Sequence, residues 1–217
     1  NYTSQDGLTL YARDYALKNG TDTRPVVLCM HGLTRNSADF EPLMPHLTDK
    51  YRCLVVDQRG RGQSDYDNNT ANYTPPTYAQ DMFTLLDHLH IQYVNIIGTS
   101  MGGIIGMLMA AMQPSRIATL VLNDIGPEVP VDALNRLKKY VGKLQPVSSW
   151  KEAVAQTKLI NQIAFPDATD EDWEAFTTRV YTEDPTGKPV LAYDPRISDA
   201  FNSCLLYTSP SPRDVGI

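Results

Sequence analysis

The chain has 217 residues, 42% of them hydrophobic and 20% charged, with a formal net charge of −6. That length supports one domain with a sizeable core, or a core plus a small insertion. The excess of acid excludes an electrostatic footprint for DNA, RNA or an anionic membrane, so the expected partner is a small molecule or a protein.

No run reaches the roughly 20 apolar residues of a membrane helix. The opening stretch Asn1 to Leu10 carries neither a basic nor an apolar signal region, although a chain beginning at Asn1 leaves a leader upstream open. Cys29, Cys53 and Cys204 form no disulfide framework. The first two sit in apolar runs, where a free thiol behaves as a small buried hydrophobe. Together these features predict a cytoplasmic protein.

Leu8 to Leu17 partly alternates apolar and polar residues, predicting a half-exposed edge strand. Pro25 to Gly32 and Arg52 to Gly60 are short apolar runs closed by glycine, as expected of strands buried on both faces of a parallel sheet. Between them a helix is predicted from near Ser37. Tyr78 to Leu89 places Met82, Leu85, Leu86 and Leu89 at helical spacing. A strand at Tyr93 to Gly98, a helix at Met101 to Met112 and a strand at Ile117 to Asp124 follow. This alternation predicts an α/β fold with a mostly parallel sheet and right-handed crossovers.

After Gly126 the pattern becomes helical, near Ala133 to Val141, Trp150 to Phe165 and Glu171 to Tyr181. Ser149 with Glu152 reads as a capping box and Thr169 as an N-cap. Such a block is expected to cap the carboxyl ends of the strands. Residues 1–126 are therefore assigned to a core, and 127–202 to a helical cap with the start of a return. The turn-rich stretch Tyr181 to Pro195 is expected to lead back to the sheet.

Gly98-Thr99-Ser100-Met101-Gly102 fits G-x-S-x-G, a strand-to-helix turn that holds a serine exposed above a sheet. Its glycines are required where side chains would collide with the packed strand and helix. His31-Gly32 ends the first strong strand. A turn there can aim the Leu33 N–H at a developing oxyanion, with the Met101 N–H as the second donor. His31 itself is expected to pack or bond structurally. Asp57 to Asp65 (DQRGRGQSD) lacks any phosphate-cradling pattern and is expected to scaffold the site, with Asp57 and Arg59 pairing or bonding backbone. Asp124, closing a strand, is a candidate acid for orienting an imidazole or, alternatively, a bond to the turn backbone. His46, His88 and His90 are expected in ordinary surface or interface roles. No metal-ligand spacing is evident, and no cofactor or metal is expected.

The ordered set His31-Gly32, Asp57-x-Arg59-Gly60-x-Gly62-x-Ser64 and Gly98-x-Ser100-x-Gly102 resembles the α/β-hydrolase superfamily, from about Tyr11 to Phe201. HGLTRNSADF, GTSMGG and VLNDIGP look like a bacterial esterase-like group within it. The resemblance implies a mostly parallel sheet, a helical cap, a serine nucleophile at Ser100, and a triad in the order serine, acid, histidine, with the histidine near the C-terminus. Most members carry the acid after a seventh strand. A subset, including haloalkane dehalogenase relatives, carries it where Asp124 stands.

His90 is the last histidine, so the resemblance also implies a missing base. CLLYTSPSPRD, Cys204 to Asp214, matches the translation of a transposase-attached sequencing adapter, and residues 203–217 are expected to be an artefact that replaces the final strands and helix. The expected parent is a serine hydrolase of small carboxylic esters, working through an acyl-enzyme. Lactone or C–C hydrolysis at the same site and a noncatalytic binding protein are the alternatives. The oligomeric state is not encoded in these patterns, and the shortened chain is expected to be nearly inert and poorly soluble.

Overall fold

The computed structural model describes residues 1–126 and 131–203. The adapter-like tail from Cys204 onward, and the part of the Gly126 to Pro130 turn beyond Gly126, lie outside them. Six strands form one sheet: β1 (Tyr2–Thr3), β2 (Thr9–Asp14), β3 (Val26–Met30), β4 (Arg52–Asp57), β5 (Val94–Thr99) and β6 (Ile117–Asn123), in the order β1-β2-β4-β3-β5-β6. β1 and β2, and β2 and β4, pair antiparallel; β4, β3, β5 and β6 are parallel. The predicted edge strand is therefore β2, lying one place inside β1, which at two residues is too short to leave a period in the sequence.

Helices α2 (Pro75–His88) and α3 (Met101–Met112) are crossovers that bury Tyr78, Met82, Leu86, Ile105 and Met109 against Leu28, Leu54 and Ile96 of the sheet. The segment from Ser37 forms a 3-10 turn over Ser37–Leu43, then a single turn α1 (Met44–Leu47), instead of one α-helix. Pro42, inside the first turn, has no N–H to donate and blocks a regular α-helical ladder. Phe40 and Met44 pack with Cys29 and Cys53 on the opposite face of the sheet. Both thiols are free and buried, and burial pushes Cys29 up to about 12, so it stays an apolar packing group.

Beyond β6 come α4 (Val131–Tyr140), α5 (Trp150–Asn161) and α6 (Asp170–Thr177). Thr169 and Asp172 form a reciprocal capping box at the start of α6. At α5, Ser149 accepts the Glu152 N–H, but the Glu152 carboxylate bonds the N–H and hydroxyl of Ser148, so the box expected there is not reciprocal. The turn-rich stretch pairs with itself as the hairpin β7 (Tyr181–Glu183) and β8 (Pro189–Leu191). It then meets the loop after β4 through the bonds Gly62 N–H to Ala192 O (2.8 Å) and Asp194 N–H to Gly60 O (2.8 Å), adding no strand to the sheet. A final helix, α7, covers Ile197–Ser203. No helix among the described residues is long and apolar enough to cross a membrane.

Candidate active site

The turn from β5 into α3 is forced by close packing. A Cβ at Gly102 would stand 2.1 Å from the Met30 carbonyl oxygen, and one at Gly98 would stand 2.4 Å from that of Gly102. With only hydrogen at both positions, the helix lies against the strand and Ser100 is left at the apex. Its backbone is strained, with φ 51° and ψ −114°, a conformation costing about 1–3 kcal/mol for a residue with a Cβ. Asn123 holds the apex in place, because its carbonyl accepts the Ser100 N–H at 2.9 Å and its amide donates to the Thr99 hydroxyl at 3.2 Å. The Ser100 side chain makes no capping bond to α3.

The loop after β3 lies beside this apex, with Gly32 so close that a Cβ would be 3.7 Å from the Ser100 Cβ. Neither the Leu33 N–H nor the Met101 N–H has an acceptor among the described residues. Met101 opens α3, where the first N–H groups have no intrahelical partner and the helix dipole favours negative charge. Two unpaired donors next to one hydroxyl is the arrangement an oxyanion requires.

Behind the loop, the DQRGRGQSD segment scaffolds it. Arg61, fully buried, donates from Nε to the Leu33 carbonyl (3.0 Å) and from Nη1 to the Arg59 carbonyl and the Tyr78 hydroxyl (both 2.8 Å). The Asp57 carboxylate accepts the N–H groups of Ser37 (2.6 Å) and Gln63 (2.9 Å), so of the two roles expected for it, it takes the backbone one. Arg59 pairs with Asp81 (2.7 Å), Asp67 (2.7 Å) and Asp6 (2.7 Å). Hydrogen bonds from Arg59 hold the Asp6 carboxyl down at about 2.

His31 is fully buried and its two nitrogens are spoken for. Nε2 accepts the Gln58 N–H at 3.0 Å, so Nδ1, 2.7 Å from the Gly32 carbonyl, carries the proton. Burial pushes this imidazole down to about 4, keeping it neutral and structural. His46, His88 and His90 are exposed, and none of them borders the space over Ser100. The four histidines of the sequence therefore leave Ser100 without an imidazole partner.

That space is a cavity of about 920 Å³ bordered by Leu33, Ser100 and Asp124 from the sheet side and by Leu137, Thr157 and Phe176 from the helices beyond β6. Asp124 also has a positive φ, 53°, and its carboxylate makes no hydrogen bond among the described residues; most of the turn whose backbone it was alternatively expected to bond lies outside them. The sequence reading missed Asn123, Arg35, Asn36 and Arg179. Arg35 and Arg179 border the cavity; Arg35 bonds Asp39 bidentately, and its guanidinium lies 4.1 Å from the centre of the Phe176 ring. Asn36 was detectable as a polar residue ahead of a helical run, whereas the others matter through long-range contacts that no local pattern marks.

The family model for the alpha/beta hydrolase fold matches residues 25–189. Over 185 residues, 81% of its length, the chain is 34% identical to a 3-hydroxybutyrate-oligomer hydrolase of Cupriavidus necator, of which it covers 61%. It is 36% identical over 117 residues to a 2-(acetamidomethylene)succinate hydrolase of Mesorhizobium japonicum, covering 54% of this chain and 41% of that protein. The crystal structure of an alpha/beta hydrolase from Novosphingobium aromaticivorans superposes with a TM-score of 0.87 at 38% identity, covering 98% of this chain and 72% of that one. The chain thus spans about three-fifths of the length of the first of these relatives. With the sheet order, the serine turn and these matches in agreement, the chain belongs to the α/β-hydrolase fold family.

Proposed function

We propose that this chain is the nucleophile-bearing part of a serine hydrolase that cleaves a small carboxylic ester through an acyl-enzyme. The observation carrying this reading is a strained serine whose hydroxyl does not cap the helix it opens, under a cavity and beside two N–H groups that have no acceptor among the described residues. Ser100 Oγ attacks the ester carbonyl and gives up its proton, and the oxyanion is held by the Leu33 and Met101 N–H groups. Collapse expels the alcohol, which takes a proton, and water then releases the acid from Ser100. The proton acceptor is a histidine in the portion of the relatives' length that this chain does not span, oriented by Asp124. The helices within 127–202, ahead of the return towards the core, act as the cap that closes over the acyl group. The names of two relatives, hydrolases of a 3-hydroxybutyrate oligomer and of 2-(acetamidomethylene)succinate, support hydrolysis as the reaction class.

The test is the burst of p-nitrophenol from p-nitrophenyl acetate. The 217-residue chain should give none, since without the base only the oxyanion hole and binding remain. The same chain continued into its natural coding sequence should give a burst that Ser100→Ala abolishes. A Ser100-dependent burst from the 217-residue chain would overturn the missing base. No Ser100-dependent burst or covalent labelling in the continued chain would favour a noncatalytic binding protein. Turnover of lactones with no action on open-chain esters would move the substrate but not the nucleophile.

A further inference from the structure

We propose that Arg179 forms a carboxylate-binding subsite under the cap, so that the ester this cavity accepts carries a free carboxylate of its own. The proposal rests on the reading that the cavity over Ser100 holds the substrate, and it adds the chemical class of that substrate.

Two arginines border the cavity and differ in one respect. Arg35 is neutralised by its two bonds to Asp39. Arg179 has no carboxylate partner among the described residues; its only side-chain bond runs from Nε to the Ala175 carbonyl, 3.0 Å away. Both terminal amino groups are left without an acceptor there, and that pair of donors is the part of a guanidinium that takes a carboxylate side-on.

The residue is held firmly despite lying just past α6. Its N–H donates to the Phe176 carbonyl (3.1 Å) and its carbonyl accepts the Asn36 amide (2.7 Å). Val180, next in the chain, accepts the Ala192 N–H at 2.8 Å. Asn36 belongs to the loop that also presents the Leu33 N–H, so one loop positions both an oxyanion donor and the proposed anion receptor. Binding energy at a remote carboxylate would therefore be transmitted to the reacting carbonyl through a fixed frame.

A second group bordering the cavity points to a polar ligand. Thr157, on α5, is 3% exposed, borders the cavity, and its hydroxyl has no hydrogen-bond partner among the described residues. An unsatisfied buried hydroxyl is costly, and a ligand oxygen would satisfy it. The residues bordering the cavity from the helices beyond β6 also include the apolar Leu137, Ile160 and Phe165. One uncompensated guanidinium, with Asp39 and Asp124 also bordering the space, suits a monoanionic carboxylate; a phosphate dianion would be left under-neutralised. The implied substrates are half-esters of dicarboxylic acids or short oligoesters of hydroxy acids.

Binding tests this independently of turnover. Monomethyl esters of succinate, glutarate and adipate, and the matching dimethyl esters, are titrated calorimetrically into the 217-residue chain, and into the continued chain carrying Ser100→Ala. At least one monomethyl ester should bind about 10-fold or more tightly than its dimethyl counterpart. Arg179→Met should erase that preference by weakening monomethyl ester binding, Arg179→Lys should keep part of it, and Thr157→Val should weaken binding a few-fold. Equal affinity for mono- and dimethyl esters, or a preference that survives Arg179→Met in a protein with an unchanged melt, would overturn the proposal. So would methyl phosphate binding more tightly than every monomethyl ester. If the preference is found but no burst ever depends on Ser100, the subsite stands and the hydrolase reading fails; the reverse outcome separates them equally well.

Discussion

In this chain, which spans part of the length of its relatives, the two flanks of Ser100 differ in burial and bonding. On the β4 side, His31, Asp57, Arg59 and Arg61 are all at most 1% exposed, and each has hydrogen-bond partners. On the β6 side, Val121 and Leu122 are 53% and 38% exposed, and Asp124 stands unbonded among the described residues. On the proposed reading the first flank fixes the oxyanion donors, and donors act best when they do not reorganise during the reaction. The second flank borders the hydroxyl where a proton must leave, and among the described residues it supplies one carboxylate and no imidazole. On the proposed reading, the donors for charge stabilisation lie among the described residues and the proton acceptor does not.

The largest effect that would test this division is chemical. In the continued chain, Ser100→Ala should lower kcat/KM for p-nitrophenyl esters by about 10⁴-fold or more, because nucleophile and base act as a unit. The 217-residue chain should already lie near that floor, and a 10⁴-fold gap between it and its own Ser100→Ala variant would show proton transfer to be assembled after all.

Next comes the buried ion network. Arg59→Met leaves Asp81 and Asp67 buried, 3% and 8% exposed at their side chains, without their cation. Removing one partner of such a network costs about 3–5 kcal/mol, read as a lower urea midpoint. A loss below about 1 kcal/mol, the usual worth of a surface pair, would mean that this flank is not the rigid one.

His31 gives a pH test of the same flank. Its folded-state value, about 4, lies below that of an unfolded imidazole, so the unfolded chain binds the extra proton first. The stabilisation from the neutral ring is complete above about pH 6.5 and is lost as pH falls towards 4, amounting to about 3 kcal/mol. Urea midpoints should fall over that window while the His31 ring, followed by NMR, stays neutral at pH 5. A ring titrating near 6.5 would break the prediction.

Arg61→Lys separates positioning from folding. Lysine keeps the charge but loses the planar fork that reaches the Leu33 and Arg59 carbonyls together. The continued chain should lose kcat by about 10- to 100-fold with KM nearly unchanged, a fraction of what losing an oxyanion donor costs. A change confined to KM would place Arg61 outside the charge-stabilising flank.

Much of this was legible in the sequence, for a reason that also marks the limit. Strands β3 to β6 and helix α3 announce themselves because buried parallel strands are apolar runs, and the glycines around Ser100 answer a steric demand that only glycine meets. The burial of His31 and the scaffolding role of DQRGRGQSD were expected too. What stayed hidden was set by contacts distant in the chain: β1, pairing over two residues; the hairpin of Tyr181 to Leu191, which pairs with itself; and Arg59, whose partners Asp6 and Asp81 lie 53 and 22 residues away. Arg179 belongs to the same class, since an arginine after a helix looks like any surface cation until the Asn36 bond, 143 residues distant, draws it to the cavity.

The smallest expected effect sharpens the comparison most. Val121 is more than half exposed on β6, the last strand of the described sheet, paired on one side with Ile97. Val121→Thr keeps the β-branched shape that suits a strand, and at an exposed site the new hydroxyl stays hydrated, so neither a cavity nor an unsatisfied polar group results. Stability should change by no more than about 0.5 kcal/mol. The same exchange at Val55, 1% exposed on β4, buries a hydroxyl in an apolar layer and should cost about 1–3 kcal/mol. Equal costs at the two positions would mean that the flanks are packed alike. A near-zero cost at Val121 beside a full one at Val55 would locate the rigidity of this chain on the side where the proposed oxyanion donors are held.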